Sequence, residues 1–181
     1  ARNGDALTTG VSNVAVGDEA LGSETTANRS VAVGVGALLN QNVGGGTNAY
    51  NVAIGHAAGN QITTGVENTI VGALAGDALT TGEMTALGFR AGSSQTTAVG
   101  NVLVGSLAGD QITTGGNNTA MGSQALANNQ TSTENTAIEH DALRYLSTGT
   151  ENTAIGDEAL DACTVGNGNV AVGVQALSGD V

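Results

Sequence analysis

The chain has no proline, no tryptophan and no lysine, and a single cysteine, Cys163. Without proline, its tight turns fall to asparagine and to 29 glycines. A lone cysteine excludes an intrachain disulfide. Only three aromatic residues, Tyr50, Phe89 and Tyr145, stand among 181 positions. Globular cores draw much of their buried area from large rings. The apolar 40% here, mostly Ala, Val, Leu and Ile, therefore has to pack in thin layers. Sixteen acids against four arginines give a net charge of −12. That balance argues against nucleic acid, which needs cations to neutralise its phosphates, and against anionic membrane surfaces. No apolar run approaches the roughly 18 residues of a membrane-spanning helix, so no membrane insertion is predicted. No signal-peptide pattern opens the chain, which begins at Ala1 like a processed or excised product.

What is present is a repeat. The unit Asn-[Val/Thr]-Ala-[Val/Ile]-Gly-x-x-Ala-[Leu/Gly] places an anchor glycine at Gly17, Gly34, Gly55, Gly72, Gly88, Gly105, Gly122, Gly156 and Gly173, with Glu139 in the remaining slot. The intervals are 17, 21, 17 and 16, then 17 throughout. The long second interval carries four extra residues within 43–47, around Gly44-Gly45-Gly46. Residues 1–10 match the second half of an earlier coil, since Gly4-Asp5-Ala6-Leu7-Thr8-Thr9-Gly10 repeats as Gly76-Asp77-Ala78-Leu79-Thr80-Thr81-Gly82.

Three columns follow from the phasing. An alanine stands three places after every anchor: Ala20, Ala37, Ala58, Ala75, Ala91, Ala108, Ala125, Ala142, Ala159 and Ala176. An asparagine stands four places before it in eight coils: Asn13, Asn51, Asn68, Asn101, Asn118, Asn135, Asn152 and Asn169, with Ser30 and Met84 as exceptions. A threonine-rich pair, such as Thr63-Thr64 or Thr113-Thr114, lies eight to nine places after it.

A period of 17 is too short for a helical hairpin repeat of roughly 33–47 residues. It predicts an all-β fold: one parallel β-solenoid over residues 1–181, with about ten coils, each of two short strands and two turns. Alternating β-branched segments such as Asn51-Val52-Ala53-Ile54-Gly55 give the first strand. The second is placed on stretches such as Ile112-Thr113-Thr114-Gly115. A helical turn at Asp157-Glu158-Ala159-Leu160 is the alternative there, although four residues cannot nucleate a helix alone. Coils about 4.8 Å apart make a rod roughly 48 Å long. The asparagines are expected to stack as an amide ladder along it. The anchor glycines imply a backbone geometry or close approach that a Cβ would prevent, and Glu139 a local distortion.

In the first strand one face carries Val or Thr followed by Val, Ile, Leu or Met. The other is nearly all Ala and Gly, with Ile70 and Leu103 as larger intruders. A strand apolar on both faces is normally covered on both. One face fills the coil, and a neighbouring subunit is expected on the other. The competing reading is a flattened monomer whose small face packs on turns.

The repeat itself is similar to known ones. Asn-Val-Ala-Val-Gly at 13–17 and 169–173, and Asn-Val-Ala-Ile-Gly at 51–55, resemble the Asn-Ser-Val-Ala-Ile-Gly head repeat of trimeric autotransporter adhesins. The longer Asn152-Thr153-Ala154-Ile155-Gly156-x-x-Ala159-Leu160 resembles repeats of phage and prophage tail-fibre proteins, often placed ahead of a self-cleaving chaperone domain. The resemblance covers essentially the whole chain. It implies trimers of left-handed parallel β-rolls outside the cell or on a virion, used as fibres and adhesins. Adhesin heads use a shorter coil, so the outer half of each coil is enlarged here.

No nucleophile–base constellation is legible, and the chain reads as a non-enzyme with no cofactor. His56 and His140 share a repeat position but stand five coils, roughly 24 Å, apart. Asp157, Glu158 and Asp161 invite a calcium reading, yet the Gly-Gly-x-Gly-x-Asp pattern of calcium-binding rolls is absent. A solvated acidic face is expected instead. The threonine pairs suggest an ice-binding array, weighed against threonines that hydrogen-bond within turns. Asn28, Asn117 and Asn129 lie in glycosylation sequons. Tyr50, Phe89, Arg90, Arg144 and Tyr145 are the candidate ligand contacts, glycans included, because aromatic rings and guanidinium groups anchor partners. The functional expectation is a self-associating extracellular fibre or adhesin segment. A filament of coils stacked end to end, and an ice- or glycan-binding solenoid, are the alternatives.

Overall fold

The structure is a computed structural model that describes residues 3–179. The expected partial opening coil falls partly outside these, at Ala1 and Arg2. Ten strands follow one another: β1 (Val14–Val16), β2 (Val31–Val33), β3 (Val52–Ile54), β4 (Thr69–Val71), β5 (Glu83–Leu87), β6 (Val99–Val104), β7 (Thr119–Met121), β8 (Thr136–Ile138), β9 (Thr153–Ile155) and β10 (Val170–Val172). All pair in parallel, in sequence order, as one sheet. Equivalent residues are in register from coil to coil, so Ala137 pairs with Ala120 on one side and Ala154 on the other. The protein is a parallel β-solenoid with a coil of about 17 residues.

The second strand is not there. At Thr113-Thr114 the chain bends. The N–H groups of both threonines approach one carbonyl, that of Gln130, at 2.9 and 3.3 Å. A strand would aim successive N–H groups to opposite sides, so among the described residues each coil holds one strand, and the second half of the coil contributes only an isolated parallel bridge, Asn28 to Asn48.

Nor does the Ala-Leu segment form a helical turn. From each anchor onward the sign of φ alternates, as at Glu158 (55°) and Leu160 (52°). A helix needs an unbroken run of negative φ. The segment is instead a chain of overlapping tight turns. In the first coil Ala20 donates to Gly17 O at 3.3 Å, Gly22 to Glu19 O at 3.1 Å and Glu24 to Leu21 O at 3.4 Å. Positive φ at the third residue is the type II signature.

The anchor glycines from Gly17 to Gly156 are required twice over. Across all the anchor glycines φ runs from 123° to 146°, and a Cβ on Gly88 would lie 2.3 Å from Gly105 O in the next coil. Glu139 occupies the same slot at φ 94°. Strand β8 keeps its register beside it. The distortion is in the turn: among the described residues, Ala142 is the one member of its column that does not donate to the anchor carbonyl three places back.

The interior settles which strand face is the inner one. The residue two places before each anchor points in, and Ala32, Ala53, Ile70, Ala86, Leu103, Ala120, Ala137 and Ala154 are fully buried. They meet the alanine column three places after the anchor and a leucine or glycine one place further on. The two sides trade volume. Leu126, Leu143 and Leu160 face coils with a strand alanine. Where the strand carries Ile70 or Leu103, the turn carries Gly76 or Gly109, and a Cβ there would come within 3.1 or 2.8 Å of the larger side chain. Close packing of this kind leaves no room for an extra methyl group.

Candidate interaction surfaces

The asparagine column is a buried hydrogen-bond ladder. Asn51, Asn68, Asn118 and Asn135 are at most 1% exposed. Each Oδ1 accepts from the next coil, as Asn118 Oδ1 does from Asn135 N at 3.0 Å and Asn135 Nδ2 at 3.2 Å. Nδ2 also donates to a carbonyl fourteen residues on, as Asn118 does to Ser132 O at 3.0 Å. The ladder satisfies backbone groups beside the strand, so its role is structural. Met84 N still donates to Asn68 Oδ1 at 2.8 Å, and Ser30 N to Asn13 Oδ1 at 2.9 Å.

A second inward column, seven places after each anchor, is not legible from the repeat. It reads Glu24, Gln41, Ile62, Leu79, Gln95, Ile112, Asn129, Leu146 and Cys163, all fully buried. Glu24 is a buried carboxylate satisfied without a cation. Its Oε1 accepts from the N–H groups of Thr25, Thr26 and Ala27 at 2.9, 3.0 and 2.8 Å. Its Oε2 accepts from Gln41 Nε2 at 3.0 Å and Val43 N at 3.3 Å. The four-residue insertion is thereby tied to the coil interior. Gln41 continues the network to Ser30 and Asn51.

The outer face of the sheet is the largest regular surface. It presents Val14, Val31, Val52, Thr69, Thr85, Val102, Thr119, Thr136, Thr153 and Val170 in one column. The other column holds Val16, Val33, Ile54, Val71, Leu87, Val104, Met121, Ile138, Ile155 and Val172. No charge interrupts either. Val16, Met121 and Val172 are 55%, 44% and 66% exposed. Ten strands about 4.8 Å apart and three residues of about 3.3 Å make a flat strip of roughly 480 Å². Half of one column is threonine, and a strip of this size is comparable with the largest apolar patches on monomers, which are often functional surfaces. Charged residues begin only at its margins, with Arg29, Glu67, Glu134 and Glu151 before the strands and Asp18, His140 and Asp157 after them.

On the turn side a groove of about 800 Å³ runs along the first five coils. It exists because Gly36 and Ala57 stand between Glu19 and Leu74 in one column, so two successive coils lack a bulky side chain. Its walls include Val35, Leu39, His56, Asn60, Asp77 and Arg90. Asp110 holds the Arg90 guanidinium in place, with both Nε–Oδ1 and Nη2–Oδ2 at 3.3 Å. Burial pushes the Asp77 carboxyl above its usual range, partly offset by a backbone hydrogen bond and by the nearby Arg90 charge.

The candidate ligand residues do not converge. Phe89 and Arg90 share one turn, and Arg144 and Tyr145 lie three coils further along. Tyr50 stands at the opposite margin of the sheet, where Arg29 lies 5.8 Å from its ring centroid and donates to its hydroxyl at 3.2 Å. Arg144 likewise sits 5.1 Å from the Tyr145 ring and donates to Asp141 Oδ2 at 2.8 Å. Only Arg90 of the five lines the groove.

Among the sequons, Asn117 is exposed and Asn28 is half-buried, its amide donating to Gly46 O at 2.8 Å. Asn129 is a correction: it is fully buried, and its Oδ1 accepts from Ser132 N at 3.1 Å, because it belongs to the inward column. The hydroxyl of the first threonine in the threonine pairs is turned to the protein, while Thr64, Thr81, Thr97 and Thr114 are exposed. Thr63, Thr80, Thr96 and Thr113 each donate to a carbonyl of the next coil at 2.9–3.2 Å. His140 Nδ1 lies 3.0 Å from Asp157 Oδ1. Among the described residues no group of three or more His, Cys, Asp or Glu is arranged to hold a metal ion, and no helix is long and apolar enough to cross a membrane. Comparison with known proteins finds no matching family model, no matching curated protein and no matching solved structure.

Proposed function

We propose that this chain is a structural, non-enzymatic shaft segment that works by self-association, as part of an extracellular or virion fibre or adhesin. The observation that carries the reading is the uncharged strip on the outer face of the ten-stranded sheet. Its occupant is a second copy of the chain. Widened to the charged columns on either side, the surface reaches the roughly 800 Å² that each partner buries in a stable association. An apolar centre with a polar rim is the usual anatomy of such an interface. A second copy also offers side-chain columns at the same coil spacing, so ridges of one strip match grooves of the other over the full length. Three copies and an extracellular setting rest on the resemblance to adhesin and tail-fibre repeats. His56 and His140, five coils apart in equivalent turns, give no shared acid–base centre.

Light scattering on the chain at micromolar concentration tests this. The expected mass is a multiple of 17.5 kDa, with three chains the specific expectation. Met121→Glu and Ile54→Glu place a charge mid-strip at positions already open in the single chain, and both are expected to yield monomers with unchanged far-ultraviolet circular dichroism. A wild-type chain that stays monomeric at these concentrations overturns the proposal.

A further inference from the structure

The groove on the turn side is built on residues that neither the ladder nor the outer strip uses, and we infer that it binds a neutral, extended oligosaccharide lying along the solenoid axis. Four features point to that class of ligand. First, the groove is long and open, and follows five coils. Its walls therefore repeat at the coil spacing of about 4.8 Å, close to the length of one pyranose unit in an extended chain.

Second, the polar groups are planar side chains spread along its length. Asn60 and Gln61 are linked by a 2.6 Å hydrogen bond, and Asp77 and Arg90 follow. Planar carboxylates, amides and guanidinium groups are paired donors or acceptors at the spacing of vicinal hydroxyls. Arg90 is held ready by Asp110, whose Oδ1 also accepts from Ser93 Oγ at 2.5 Å. Third, Val35, Leu39 and Leu74 provide apolar surface between these groups. A pyranose ring needs both, a polar edge for hydroxyls and an apolar face for C–H groups. Sites for small ligands commonly combine apolar lining with a few placed polar groups.

Fourth, charge selects a neutral ligand. An anion would meet Glu19 and Asp77 and the chain's net charge of −12. A metal cation would find no chelating set, since among the described residues no group of three or more His, Cys, Asp or Glu is arranged to hold one. A polyol meets neither obstacle. Its hydroxyls can donate to Asp77, a half-buried carboxylate on the groove wall.

The test uses the full chain and three neutral linear tetrasaccharides, of β-1,4-glucose, β-1,4-N-acetylglucosamine and β-1,4-mannose, titrated by calorimetry and by amide chemical shifts. At least one is expected to bind with Kd near 1 mM, about −4 kcal/mol, with shifts confined to coils one to five. Asp77→Ala and Arg90→Ala are each expected to weaken that binding tenfold or more. Ala57→Arg should abolish it by filling the hollow. That variant is expected to fold, because Arg90 occupies the equivalent position at φ 55° and Ala57 has φ 54°. Absence of binding by all three sugars overturns the inference, as does undiminished binding by a folded Ala57→Arg chain. Neither result bears on self-association through the strip.

Discussion

Asn135 Oδ1 accepts two hydrogen bonds from Asn152, one from its backbone N–H and one from its side-chain amide, both at 3.0 Å. One oxygen thus fixes both the backbone and the side chain of the next coil. Nδ2 of Asn135 turns the other way, to Asn118 Oδ1 at 3.2 Å, and to Thr133 O and Gly149 O at 2.9 and 3.0 Å. Asn135→Ala strands several of these groups in the interior. Leaving a buried partner unmatched costs about 1–3 kcal/mol, so a loss of about 3 kcal/mol is expected for the set. Asn169, only half-buried at the far end of the ladder, should cost about 1 kcal/mol as Asn169→Ala. Urea midpoints of the two variants check the order. Equal costs would mean that burial does not set the ladder's contribution.

How much of this could be read from the sequence depends on what repeats. The anchor glycine, the alanine column and the asparagine column recur at one spacing, and each stands in the structure at one site of the coil. The inward column seven places after the anchor runs from Glu24 through Ile62 to Cys163. It has no shared residue type, so the repeat conceals it, and Asn129 passed for a surface sequon. The second strand failed because adjacent threonines look β-prone. The first hydroxyl of the pair instead bonds to a carbonyl of the next coil, and that choice is made by tertiary packing rather than propensity. The inner identity of the small strand face was open because both faces are apolar. Volume exchange between Leu103 and Gly109 shows the answer, and that exchange is visible only once the two columns are known to touch.

Two glycines separate conformation from contact. Gly88 and Gly173 have φ of 143° and 123°. A Cβ on Gly88 would lie 2.3 Å from Gly105 O, whereas one on Gly173 meets nothing within 4 Å. Gly173→Ala is therefore expected to cost only the backbone strain, about 1–3 kcal/mol. Gly88→Ala adds a clash with main chain that no side-chain shift relieves, and should part the sheet between β5 and β6. Hydrogen exchange resolved by residue would show it, with protection lost around Leu87 and Val104 in the first variant and only beyond Val172 in the second.

Asp77 ties stability to pH in an unusual direction. Desolvation raises its carboxyl above the ordinary value of 3.8 in the folded chain. The folded state then holds the proton more tightly than the unfolded one, so this residue's contribution falls as pH rises through the window just above that value. Asp77→Asn removes the desolvated charge and keeps the shape. The variant is expected to melt slightly above wild type at pH 7, with the difference vanishing near pH 3. A variant less stable than wild type at pH 7 would show that the ionised carboxylate is an asset to the fold.

Glu139 is the one anchor that is not glycine, and its backbone shows the consequence. At φ 94° it lies short of the 123–146° that the glycine anchors adopt, in a region that L side chains rarely enter. The carbonyl it presents is the one that a Cβ on Gly122 would strike, at 2.2 Å, so the coil below approaches Glu139 as closely as it approaches the glycine anchors. The turn hydrogen bond from Ala142 is the local loss. Glu139→Gly removes strain of about 1–3 kcal/mol and gives back part of it, about 0.5–1 kcal/mol, in unfolded-state entropy. A net gain of about 1 kcal/mol is expected, seen as a higher urea midpoint, together with slower exchange of the Ala142 amide as its hydrogen bond to residue 139 forms. If the midpoint falls instead, the Glu139 side chain contributes more than its backbone costs, and the margin beside His140 and Asp141 would be where it does so.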